Sequence, residues 1–173
     1  EWDALAVILT PSEAKGKDPV LVRKRLQEFI DRLGGVRVLD PACGSGNFLY
    51  VSLAMLKGLE QKAIAFGADR GVTDLQPKVH PRQLYGIEID PYAHELASIV
   101  VWIGYLQWKY RNGIPFENEI PILEPLDNVK HKDAILDRTD PANPKDPEWP
   151  EADVIVGNPP FLGGKKLRTG LGD

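Results

Sequence analysis

The stretch VLDPACGSGNF, residues 38–48, reads as a strand ending on an acid, a tight glycine turn and the first residues of a helix. Glycines let a backbone approach a ligand closely, and a helix N-terminus presents free N–H groups. Gly44 and Gly46 are present, but Leu49 stands where a third dinucleotide-type glycine would sit, so this is not the pyrophosphate fingerprint. Asp40, at the strand end, suits a ligand that carries an ammonium as well as a carboxylate. Cys43 reads as a small buried filler, because no base stands near it in sequence to activate a thiol.

Outward from this turn, helices and strands alternate. In PVLVRKRLQEFIDRLGG the apolar residues Leu21, Val22, Leu26, Phe29, Ile30 and Leu33 recur near helical spacing, which predicts a helix over 19–33 stopped by Gly34-Gly35. A further helix is predicted over 2–9. VRVLD (36–40) is a buried strand, and a long helix runs from about Asn47 to Ala65. Residues 67–82 are polar with two prolines and read as a loop; QLYGIEID (83–90) is the second strand. Pro91 opens a helix that Gly113 closes, with Ala93, Leu96, Ala97, Val100 and Gly104 as one stripe and Trp102, Tyr105 and Trp108 elsewhere. A helix so apolar is expected to be buried on more than one side. NVKHKDAIL (128–136) offers a short third strand with an acidic end, 137–150 a proline-rich surface loop, and DVIVGN (153–158) a fourth strand.

This alternation predicts an α/β fold: a Rossmann-like, mostly parallel sheet with helices on both faces. Residues 1–35 form a helical segment packing on the sheet, and 36–173 form the core. Hydrophobic residues make up 43% and charged residues 27%, the balance of a soluble globular chain. No apolar run approaches the ~18 residues of a membrane span, and one cysteine excludes an internal disulfide and fits a reducing cytoplasm. A net charge of −4 is not that of a basic nucleic-acid binder. His80, His94 and His131 are scattered without metal-ligand spacing and are read as structural or exposed; no metal is expected.

Two more stretches carry chemistry. In YGIEIDPYA, Asp90 before Pro91 reads as a helix cap. Glu88, between Ile87 and Ile89 near the strand end, is costly to bury without a partner, and an acid there commonly pairs with ribose hydroxyls. In ADVIVGNPPF (152–161) the fourth strand ends in Asn158-Pro159-Pro160-Phe161, which is either a stiff turn or a rigid polar pocket at the carboxyl end of a strand. As a pocket it could take a flat base with an exocyclic amine. The Asn158 and Pro159 carbonyls would accept the amine hydrogens, localising the nitrogen lone pair, and Phe161 would stack on the ring.

DPACGSG, GIEIDP and GNPPF, in this order, resemble the class I S-adenosylmethionine-dependent methyltransferases acting on adenine N6 in DNA, and look closest to large single-chain bacterial restriction–modification enzymes. The resemblance implies that Asp40, Ala42, Gly44 and Gly46 cradle the methionine part of S-adenosyl-L-methionine, that Glu88 binds its ribose, and that Ile89 lies against its adenine. It implies that Asp133 receives the cofactor's adenine amine with Ala134 beside it, and that Thr10 belongs to a motif closing over the cofactor. Asn158, Pro159, Pro160 and Phe161 would hold a target base flipped from the duplex. Family members continue with three more strands and a target-recognition region, whereas this chain ends twelve residues past Phe161. The expectation is therefore a cofactor half, truncated after the fourth strand, that meets DNA through a full-length protein and does not methylate unaided. Lys165, Lys166 and Arg168 are read as phosphate contacts or as an exposed tail. Three alternatives share the site: a protein glutamine-N5 methyltransferase, an RNA-base methyltransferase and a non-catalytic cofactor-binding module.

Overall fold

The computed structural model describes residues 19–113, 126–137, 139–140 and 142–159. Pro19 opens helix α1 (Pro19–Gly35), which turns Leu26, Phe29, Ile30 and Leu33 inward, as their spacing predicts. Strand β1 (Val38–Asp40) follows, then α2 (Asn47–Ala68), a 3₁₀ turn (Pro81–Gln83), β2 (Leu84–Glu88), α3 (Pro91–Arg111), β3 (Val129–His131) and β4 (Val154–Ile155). The four strands form one sheet in the order β3-β2-β1-β4, and every pairing is parallel. α2 packs on β1 and β2, and α3 packs beside it on β2 and β3. This is the Rossmann-like α/β class that the alternation of elements predicts. The predicted helix over 2–9 lies outside the described residues.

The register between β1 and β4 is pinned by Arg37. Its carbonyl accepts from Asp153 N at 2.9 Å and Val154 N at 3.1 Å, and its own N–H donates to the Asp153 carboxylate at 2.8 Å. The guanidinium reaches Glu151 at 2.6 Å and Asp153 at 3.4 Å, which raises its pKa further above the usual arginine range. Val156 N then donates to Leu39 O at 2.9 Å, so the two chains run together to the carboxyl end of the sheet.

Three expectations are refined. The third strand, expected to be short within 128–136, is Val129–His131, because the chain then turns at once. Asp133 Oδ1 accepts from Ile135 N at 2.8 Å and Leu136 N at 3.2 Å, a local aspartate turn that competes with the ladder. Residues 69–80 are the expected loop, but Val72, Leu75 and Val79 within it are buried in the core. Glu60 of α2 holds that segment, accepting from Lys78 N at 2.5 Å and Val79 N at 2.7 Å. Within it His80 caps the 3₁₀ turn through Nδ1 on Arg82 N, and the Gln83 side chain reaches back to His80 N. Finally, α3 is buried along one broad side, through Ala97, Val101, Trp102, Gly104, Tyr105 and Lys109, while Ile99 and Ile103 face outward.

Candidate functional site

The carboxyl ends of β1, β2 and β4 meet at the glycine turn. Asp40, only 1% exposed, uses Oδ1 to accept from Ala42 N at 3.0 Å, while its buried Oδ2 has no hydrogen-bond partner among the described residues. Burial raises its pKa above the usual carboxylate value; the Ala42 N–H works against that, and the charge of Glu88 adds to it. Glu88 has the partners its burial calls for. Oε2 accepts from Gly44 N at 2.7 Å, across 44 residues of chain, and Oε1 from Asp90 N at 2.8 Å. One carboxylate thus ties the end of β2 to the turn after β1 and to the entry of α3.

Cys43 anchors the same turn through its N–H on Ile87 O at 3.1 Å. Its thiol is pushed up to about 12 by burial and then by the charges of Asp40 and Glu88, which makes it the inert filler expected. Gly46, at φ 83°, is the N-cap of α2, and a Cβ there would come within 3.1 Å of the Ala97 backbone. A side chain at this position would separate α2 from α3. Gly44 is different: its φ is 53°, yet a Cβ would meet nothing within 4 Å. It borders open space, with backbone exposed for contact.

Gly157 is glycine for a third reason. Its Cβ would stand 2.8 Å from Asp40 Oδ1, so only a bare backbone lets β4 leave the sheet beside Asp40. Asn158 and Pro159, directly after it, are exposed; Pro160 and Phe161 lie outside the described residues, as does Thr10. On the other side, Lys132 N donates to Glu88 O at 3.0 Å, which sets Asp133 and Ala134 one step beyond the end of β2. Ile89 is 62% exposed at the same edge, and His131 Nε2 donates to its carbonyl at 2.9 Å. Asp40, Ala42, Gly44, Gly46 and Glu88 are therefore brought together, Asn158 and Pro159 emerge beside Asp40, and Ile89, Asp133 and Ala134 follow Glu88 along the sheet end. Sequence reasoning missed Trp149, whose Nε1 donates to Ala134 O at 2.8 Å. The available signal was a large aromatic within the polar, proline-rich run 137–150. Among the described residues no group of acids, histidines or cysteines could hold a metal, and no helix is long and apolar enough to cross a membrane.

A Rossmann-like parallel sheet whose strand-end acids and glycine turn converge on one edge defines a class that binds ligands at the carboxyl ends of its strands. Within that class the chain belongs to the MmeI DNA-methyltransferase domain family, which matches residues 13–170. It is 32% identical over 146 residues to DNA methyltransferase A of Bacillus subtilis (strain 168), covering 82% of this chain and 16% of that protein. It is 34% identical over 85 residues to a putative type II restriction enzyme and methyltransferase of Methanocaldococcus jannaschii, covering 47% of this chain and 7% of that one. Among solved structures it resembles the type IIL restriction–modification enzyme MmeI in complex with DNA, with a TM-score of 0.54 and 25% identity over 65% of this chain and 16% of MmeI. The chain thus spans about a sixth of the length of these relatives, or less.

Proposed function

We propose that the protein carrying this chain transfers a methyl group from S-adenosyl-L-methionine to the N6 amine of a flipped adenine in DNA. The observation that carries the reading is the Asp40 carboxylate: buried, with Oδ2 lacking a partner, and packed against Gly157 at the root of the Asn158-Pro159 turn. A buried carboxylate oxygen without a donor is costly, and a ligand ammonium relieves it. The residues present therefore fit the cofactor. Asp40 would take the ammonium, the backbone from Ala42 to Gly46 would border the methionine part, and Glu88 would turn toward the ribose hydroxyls. Ile89, Asp133 and Ala134 would enclose the adenine, and Thr10 would close over it. When bound, the cofactor supplies an electrophilic methyl on sulfur, displaced in line.

The work left to the chain is alignment and lone-pair control. The Asn158 side-chain carbonyl and the Pro159 backbone carbonyl would accept the two hydrogens of the target amine, drawing its lone pair out of the ring toward the methyl. Pro159 and Pro160 would stiffen that segment, and Phe161 would stack on the base. Family membership, and the DNA methyltransferase and DNA-bound enzyme among the relatives, support DNA as the substrate.

The test uses the full-length protein with methyl-labelled S-adenosyl-L-methionine, offered duplex DNA, RNA and a protein extract, with mass spectrometry of the products. N6-methyladenine in DNA is expected, and Asn158→Ala should lower its formation at least a hundredfold while leaving cofactor affinity within about threefold. Label in RNA or in glutamine would overturn the substrate, and an unimpaired Asn158→Ala protein would remove the base pocket from this turn.

A further inference from the structure

The described residues within 137–150, expected to be a surface loop, fold back on the turn after β3. Asp137 and Lys145 pair as an antiparallel bridge, with Asp137 N on Lys145 O at 2.8 Å and Lys145 N on Asp137 O at 3.2 Å. Beyond this closure the chain returns over the turn after β3. Lys132 Nζ donates to Glu148 O, and Trp149 Nε1 donates to Ala134 O at 2.8 Å. Pro147 and Pro150 bracket the two pinned residues and restrict their backbone, so the returning segment behaves as a stiff strap.

The turn being strapped is the one that carries Asp133. Its Oδ1 is committed to Ile135 N and Leu136 N, which fixes the carboxylate relative to the turn's own backbone. The turn itself is tied to the sheet by Lys132 N on Glu88 O, while Ile135 is 81% exposed. Within this turn the indole N–H on Ala134 O is the hold next to Asp133, beside that of Lys132 Nζ on Glu148 O. We infer that Trp149 is a positioning residue: by donating to Ala134 O it sets where the Asp133 carboxylate stands and thereby its selectivity for an adenine amine over a base bearing a carbonyl there. This rests on the proposed assignment of Asp133 and Ala134 to the cofactor's adenine.

The chemistry gives a readout that loss of fold does not imitate. S-adenosylhomocysteine offers Asp133 an amine, whereas S-inosylhomocysteine offers a carbonyl oxygen that the carboxylate repels. In the full-length protein, calorimetric titration of both ligands should show strong preference for the adenosyl compound. Trp149→Phe keeps the ring but removes the donor, and should weaken S-adenosylhomocysteine by about three- to tenfold while S-inosylhomocysteine changes by less than about twofold, narrowing the ratio. Lys132→Met, which removes the other pin, should narrow it in the same direction. An unchanged ratio in both variants, or equal losses for both ligands, overturns the positioning role. If the native protein shows no preference, or Asp133→Asn keeps the full preference, the assignment of the adenine pocket itself fails, and the inference with it.

Discussion

Asp40 shows how a single residue can be read for stability and for binding at once. Its folded-state pKa is raised above the unfolded value, so the folded chain holds that proton more tightly. The linkage sign follows: above the raised pKa the ionised group destabilises the fold, and this cost fades as pH falls toward the unfolded value. Asp40→Asn should therefore raise the melting temperature at pH 7 by a few degrees while S-adenosyl-L-methionine affinity falls at least tenfold. The gain should shrink when melting is repeated at progressively lower pH. A melting temperature that drops at pH 7 would mean that the carboxylate's bond to Ala42 N outweighs its burial. That Asp40 and Glu88 end their strands was legible in the sequence, because a charged residue at the end of an apolar run has a recognisable address. The Gly44 N–H that satisfies Glu88 was not, since it comes from 44 residues away. Gly157 escaped for the same reason: only the fold brings Asp40 within 2.8 Å of where its Cβ would be.

At the scale of elements, long periodic segments were read well and the ends of short strands poorly. α1 and α3 stand within a few residues of their expected ends, because spacing and proline or glycine stops act locally. β3 is the short strand expected within 128–136, but its end at His131 was not legible, since an aspartate turn takes over the apolar residues that follow. That 67–82 is mostly loop was legible, but the burial of Val72, Leu75 and Val79 was not, because what organises the segment lies on another element. Glu60 accepts from its backbone, and it forms a buried ion pair with Lys57 at 2.8 Å, whose ammonium lies 4.6 Å from the Trp108 ring centre. Removing one member leaves the other charge buried, so Glu60→Gln should cost about 3 kcal/mol in urea unfolding. Adding Lys57→Met, which keeps packing against Trp108 and removes the stranded charge, should recover most of that loss. A double variant as unstable as the single one would assign the stability to the bonds at Lys78 and Val79 rather than to the pair.

For the molecule as a whole, the difficulty is charge. The chain carries −4 overall, and under the proposed function a duplex would be repelled by such a surface unless cations were gathered at the contact. Among the described residues the sheet ends at β4, whose Val154 and Ile155 are 43% and 61% exposed, just before the Asn158-Pro159 turn. Lys165, Lys166 and Arg168 follow, outside the described residues. Lys166 lies seven positions after Pro159, and a fully extended chain of that length would span up to about 25 Å, far enough to reach phosphates flanking the base that the proposed function places at Asn158. If these three cations neutralise three phosphates, each contributes about 0.9 to the slope of log affinity against log salt. Replacing all three with Gln in the full-length protein should lower that slope by roughly 2–3, measured by fluorescence anisotropy on duplex DNA between 50 and 200 mM salt. The loss should be similar for specific and unrelated duplexes, because phosphate contacts carry no sequence information. An unchanged slope would place these cations away from DNA and require the repulsion of this negatively charged chain to be overcome by the remainder of the full-length protein.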